Sequence, residues 1–239
     1  MKAFEVKSNA YPVSIFKDFI SLFFPNYCLA CSNSLVGGEE TLCTRCVINL
    51  PKADNDEVLN PIKDRLLGRL KIEHGFAFLK FKKGGNVQRL LHQLKYNHHP
   101  EIGVKLGKVF GYSLAKSGYA GSFDIIIPVP LHPIRQRRRG YNQSAKFAEG
   151  LSTALDIPWN ESISIRKGKA ITQTRKSKEE RWENVRDSFS IVNDSQIRGK
   201  RILLVDDVIT TGATMEACGL HLINGGCAAL SVACIAEAQ

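Results

Sequence analysis

Two adjacent carboxylates, Asp206 and Asp207, are followed after two apolar residues by Thr210-Thr211-Gly212-Ala213-Thr214. Carboxylates repel phosphate, but they hold sugar hydroxyls or a divalent cation. The turn after them offers the complementary chemistry. Where such a turn opens a helix, its free backbone N–H groups and the helix dipole favour an anion. Gly212 allows close backbone approach, and three threonine hydroxyls add donors. One ligand class satisfies both halves, a phosphorylated ribose. The plainer reading is a strand-to-helix turn in which Asp and Thr serve as caps.

Three other groups of residues carry chemistry. Cys28-Leu29-Ala30-Cys31 and Cys43-Thr44-Arg45-Cys46 are two C-x2-C pairs separated by 11 residues. That spacing wraps one tetrahedral ion, and four thiolates suit a structural zinc with no open position. A disulfide module is the competing reading, and a chain without a secretory leader argues against it. Arg135, Arg137, Arg138 and Arg139 repel one another unless an anion joins them. A ligand is favoured for Arg135 and Arg139, while a nucleic-acid patch stands equal for Arg137 and Arg138. Lys95 and Tyr96 pair a cation with an aromatic ring, suited to a phosphate or a base. His98 and His99 lack a Cys or carboxylate at ligand spacing and read as ordinary surface residues. Cys218, Cys227 and Cys234 read as core.

The elements that must position these groups follow from apolar patterning. Residues 202–205 form an uninterrupted apolar run, the mark of a parallel strand buried on both faces, and the strand is expected to end at the carboxylates. Residues 213–223 suit a helix, stopped by Gly225-Gly226. A second buried strand covers 123–130 and ends in two prolines. Helices are expected over 86–96, 101–116 and 145–155, the last capped by Asn142 or Ser144. Residues 74–81 alternate weakly, as an edge strand does. In an open α/β sheet ligands bind beyond the carboxyl ends of the strands, where Asp206 and Asp207 then stand. Residues 51–63 read as a polar linker, and Ser177 with Glu180 forms a capping box in a polar stretch from 171 to 185.

The chain has 239 residues, 44% hydrophobic and 23% charged, which is ordinary for a globular protein. Its net charge of +10 favours anionic partners. Residues 132–186 hold 13 Lys/Arg against 6 Asp/Glu, so the middle of the chain is the candidate anion-binding face. The apolar positions near residues 15–24 are interrupted by Lys17 and Asp18, which suits a short amphipathic helix better than a signal peptide. No run approaches a membrane span, and a cytoplasmic location is expected.

The 201–214 run resembles the phosphoribosyl pyrophosphate (PRPP) signature of type I phosphoribosyltransferases. More narrowly, the ComF family of competence-associated proteins is resembled by a combination of motifs. These are the four-Cys module, Leu94-Lys95-Tyr96, Pro128-Val129-Pro130-Leu131, Arg139-Gly140-Tyr141-Asn142-Gln143, Gln173-Thr174, Arg181 with Asn184-Val185, and the acidic run itself. The resemblance extends from about residue 20 to the end. Some family members carry further cysteine pairs; this chain has one set, so a second metal site is not expected.

The resemblance implies an α/β fold, a type I phosphoribosyltransferase-like parallel sheet flanked by helices. A zinc module with its linker would occupy residues 1–60 and the phosphoribosyltransferase-like domain residues 61–239. It implies that Asp206 and Asp207 bind the ribose hydroxyls and act in catalysis, and that Thr210, Thr211, Gly212, Ala213 and Thr214 cradle the 5′-phosphate. Arg135, Arg139, Gly140 and Asn142 would meet the pyrophosphate, and Gln173, Lys176 and Arg181 would belong to a loop closing over it. Zn2+ at Cys28, Cys31, Cys43 and Cys46, and Mg2+ with PRPP, are the implied cofactors. Three functions stand open: a PRPP-binding protein of DNA uptake, a non-enzymatic protein handling single-stranded DNA or binding competence-machinery partners, and a nucleotide-forming transferase.

Overall fold

The structure, a computed structural model, describes residues 24–56, 60–167 and 188–238. The first cysteine pair forms a tight turn, and the second opens α1 (Thr44–Asn49), where Cys43 caps the helix by accepting from the Cys46 N–H. Pro61 begins α2 (Pro61–Leu66), a position where its missing N–H costs no hydrogen bond. Asn60 caps α2 at Ile62 and Lys63 and donates to the Gly75 carbonyl. β1 (Gly75–Phe81), α3 (Asn86–Tyr96), α4 (Glu101–Leu114) and β2 (Ile125–Pro128) follow. Next come α5 (Pro133–Arg139), α6 (Gln143–Leu155), β3 (Ser164–Arg166) and β4 (Phe189–Ile191). β5 (Arg201–Ile209), α7 (Ala213–Asn224) and β6 (Ala229–Ala238) end the chain's described elements.

Four strands form a parallel sheet in the order β1-β6-β5-β2, while β3 and β4 pair antiparallel as a separate ribbon. Alternation along the strands divides the core. Phe78, Leu203, Val205 and Ile235 face Leu90 of α3, Leu106 of α4 and Leu151 of α6. Ile202, Leu204, Val232 and Cys234 face Leu66 of α2 and Met215 and Leu222 of α7. Cys218 and Cys234 are buried core residues, and Cys227 is half-buried. Helices on both faces explain why β5 and β6 are apolar throughout their middle.

Both edges of the sheet are covered, which removes a template for strand addition. Residues 51–56, expected as a linker, run along β1: Ala53 N–H donates to Phe78 at 2.9 Å, Lys80 N–H to Pro51 at 2.8 Å, and Asn55 bonds both backbone groups of Ala77. On the other edge Ile126 N–H donates to Pro158, and Asn160 N–H donates back to Ile126.

β5 runs past the carboxylates to Ile209 instead of ending before them. β6 supplies partners along this extension, as far as Ile209 opposite Glu237. β2 stops at Pro128 opposite Val205, so one side of β5 loses its neighbour where the carboxylates begin. A further helix, α5, lies inside the arginine-rich stretch, between Pro133 at its start and left-handed Gly140 at its end. α6 begins at Gln143, two residues early, because Asn142 caps it through the Ser144 N–H. Among the described residues no helix is long and apolar enough to cross a membrane.

Candidate functional site

The missing β2 neighbour leaves a cleft of about 240 Å3 against β5. Asp206, Asp207, Lys95, Tyr96, Arg135, Arg139, Asn142 and Thr214 line it together, although they come from α3, α5, β5, α7 and the turn between α5 and α6. Thr210, Thr211, Gly212 and Ala213 line an adjoining hollow that shares Asp206 and Thr214 with the cleft. Gly140 is the left-handed stop of α5, its N–H donating to Gln136 at 2.8 Å, and does not line the cleft. Gln173, Lys176 and Arg181 lie outside the described residues, as do the 177–180 capping box and the 15–23 segment.

Successive strand residues point to opposite sides, so the carboxylates diverge. Asp207 pairs with Lys95 Nζ at 3.0 Å. Asp206 accepts from Ser144 Oγ at 2.9 Å and from the Asp207 N–H at 2.8 Å. Burial, and next the charge of Asp207, push the Asp206 carboxyl up to about 7, against those two hydrogen bonds. A hydroxyl donor or cation in the cleft therefore meets a carboxyl ready to lose its proton.

The opposite wall is cationic. Arg139 is buried at the end of α5, donates to Gln143 Oε1 at 2.7 Å and lies 5.2 Å from the Tyr96 ring centre, within cation–π range. Asn142 donates to the Val129 carbonyl, tying the segment after β2 to the head of α6. Arg166, on β3, stacks 5.1 Å over Phe189 and reaches the cleft from the ribbon. Burial, then the neighbouring Arg135 charge, work against its cation, while Asp206 favours it. Arg139 Nε, Gln143 Nε2 and Arg166 Nε are buried donors with no hydrogen-bond partner among the described residues. Buried polar groups are normally satisfied, so three orphan donors bordering one cleft call for an anionic or acceptor-rich ligand. Gln143 ends the Arg139-Gly140-Tyr141-Asn142-Gln143 motif, but nothing in that motif marks it as a cleft residue. Arg166 belongs to no motif, and only the folding of β3 against the cleft brings it there.

The 210–214 loop turns through left-handed Gly212 at the head of α7. A side chain there would press on Leu66 of α2, 2.9 Å from the ideal Cβ position. The twelve-residue α7 directs its free N–H groups at the hollow.

The four cysteines stand apart from this cleft. Their sulfurs lie within 4.8 Å of one another, with Cys31 and Cys43 3.8 Å apart. Four thiolates about 2.3 Å from a tetrahedral ion are about 3.8 Å from each other, so the set fits zinc. Burial pushes Cys43 and Cys46 up. Burial also raises Cys28, but N–H groups of Cys43, Cys31 and Ala30 outweigh it and hold that thiol at about 7. Cys28, Cys43 and Cys46 belong to the same core as Phe78, Leu90 and Leu91, and Arg89 of α3 donates to Ala30 in the first turn at 3.0 Å.

Comparison with known proteins agrees with the geometry. The family model for the phosphoribosyl transferase domain matches residues 138–239. Competence protein F of Haemophilus influenzae is 44% identical over 94 residues, 39% of this chain and 41% of that protein. DNA utilization protein YhgH of Escherichia coli is 31% identical over 149 residues, 61% of this chain and 65% of its own length. Competence protein ComFC of Bacillus subtilis is 29% identical over 145 residues, 60% of this chain and 56% of that one. The matched stretch spans less than two thirds of each relative.

Proposed function

Because the chain belongs to the ComF family of phosphoribosyltransferase-domain proteins, we propose that it binds PRPP in the cleft beside β5 and serves the handling of incoming DNA in the cytoplasm. Asp206 and Asp207 receive the ribose hydroxyls, and the 210–214 loop receives the 5′-phosphate. Arg135, Arg139, Asn142 and Arg166 meet the pyrophosphate. The observation that carries this reading is the order of charge in one cleft: an N–H-rich loop, two carboxylates, then guanidiniums with orphan donors. A ligand with an anion at each end and hydroxyls between them matches that order. The hard oxygens of Asp206 and Asp207 also suit Mg2+, which when bound neutralises pyrophosphate charge. The four-Cys set holds a structural Zn2+.

A second reading rests on the neighbouring pocket of about 180 Å3, lined by Lys95, Tyr96, His98, Arg138, Arg139 and Tyr141. Exposed Tyr96 among these basic groups suits base stacking and phosphodiester contact. The names of the relatives, competence and DNA utilization, motivate a single-stranded DNA ligand or competence-machinery partner there.

Calorimetric titration with PRPP and Mg2+, with and without single-stranded DNA, tests both. Saturable PRPP binding is expected, lost by at least about tenfold in the D206N/D207N variant, since hydrogen bonds to charged groups contribute about 1.5–3 kcal/mol each. Unchanged affinity in that variant overturns the site. DNA binding without PRPP binding, with affinity falling steeply in salt, favours the second reading. Pyrophosphate release with a supplied acceptor would add transferase turnover.

A further inference from the structure

We propose that Arg65 and Arg69 on the α2 side are positioning residues that shape the 210–214 loop for phosphate. This rests on the reading of that loop as the 5′-phosphate site. Arg65 Nη1 donates to the carbonyls of Ile209 at 3.2 Å and Thr210 at 2.9 Å. Arg69 Nη1 donates to the Thr211 carbonyl at 2.8 Å, and also to the Arg65 carbonyl at 3.1 Å. Three consecutive carbonyls are thus turned toward two guanidiniums. In a planar trans peptide the C=O and the following N–H point in opposite directions. The N–H groups of Thr210, Thr211 and Gly212 therefore point away from the arginines. A loop that binds an anion must remove its carbonyl oxygens from the site, since their partial negative charge repels phosphate. The clamp performs that separation before ligand arrives, which is preorganisation.

The surroundings make the clamp rigid. Leu66, between the two arginines, packs against Gly212, and Asn60 fixes the start of α2 to β1. Arg69 also pairs with buried Glu216 on α7, and Arg65 lies 4.0 Å from buried Glu237 on β6. The carboxylates counter the cations, so the arginines contribute orientation more than net attraction.

The test uses the full chain with the R65K/R69K variant. Lysine keeps the charge opposite Glu216 and Glu237 but lacks the planar fork that spans two acceptors. Ribose 5-phosphate affinity is measured by calorimetry, amide exchange of the 209–215 region by mass spectrometry, and folding by thermal melting. The expected result is faster exchange confined to that region, at least about tenfold weaker binding, and a melting temperature within a few degrees. A folded variant with wild-type exchange and affinity overturns the proposal. Faster exchange with no ribose 5-phosphate binding by the wild type upholds the clamp and defeats the phosphate reading. If the double variant does not fold, R65K alone is read by the same two measures.

Discussion

Asp206 is held in the folded chain with a carboxyl pushed up to about 7 by burial and by Asp207. A carboxyl raised above its unfolded value binds its proton more tightly in the native state. Its contribution to stability is full below the ordinary carboxylate range and is lost as pH rises toward 7. Ligand-free protein should lose thermal stability between about pH 4 and pH 7, where the unfolded carboxyl ionises and the buried Asp206 does not. D206N, which removes the titration, should flatten the profile and melt higher than wild type at pH 8. Equal slopes in melting curves of the two proteins would mean that Asp206 is ionised throughout. A hydroxyl donor or cation bound at Asp206 would therefore restore stability at neutral pH.

At the scale of the element, the helices beneath the cleft depend on close approach. α4 and α6 cross where Gly107 and Gly150 meet. A Cβ at 107 would stand 2.3 Å from the Phe147 carbonyl oxygen, and one at 150 would stand 2.2 Å from that of Val104. Alanine gains about 1 kcal/mol of helix propensity over glycine. Overpacking costs about 1–3 kcal/mol and more where the obstacle is backbone, so the clash wins. G107A should lower the melting temperature by several degrees. It should also weaken PRPP binding, because α6 carries Gln143 and Ser144 at its head, beside Arg139 and Asp206. A stabilised variant with unchanged affinity would show that the helices can separate without cost.

For the whole molecule, the four-Cys module is built into the main core. Cys28, Ala30, Leu42 and Leu50 share one apolar cluster with Phe78, Leu79 and Leu91, and residues 51–56 lie along β1. Four clustered thiols, three of them buried, would be left with mutual repulsion on ionisation without a metal. Elemental analysis should find about one zinc per chain, and C28S/C43S should lose it. Chelation should lower the melting temperature of the entire chain in one transition. Two separate transitions, with the sheet unaffected, would make the module an independent unit.

The strand, acidic pair, glycine turn and helix of residues 201–224 were legible in the sequence because each feature is local. A buried strand needs an apolar run, a left-handed turn needs Gly212, and an ion knuckle needs two cysteines three residues apart. Both the Asp206–Asp207 site and the Cys28-Cys31-Cys43-Cys46 cluster follow from such short-range rules. The length of β5 was not legible, since it depends on how far β6 continues beside it and where β2 stops. Arg166, Arg65 and Arg69 were silent for the same reason. Arg65 reaches a carbonyl 144 residues away in the chain, and no periodicity records that contact. A charged side chain in sequence declares its charge but not its acceptor; crossover connections choose the acceptor, by deciding which strand end and which helix share a wall. The chemistry of the cleft was written locally, and its geometry was decided by packing α2, α6 and the β3–β4 ribbon around one strand.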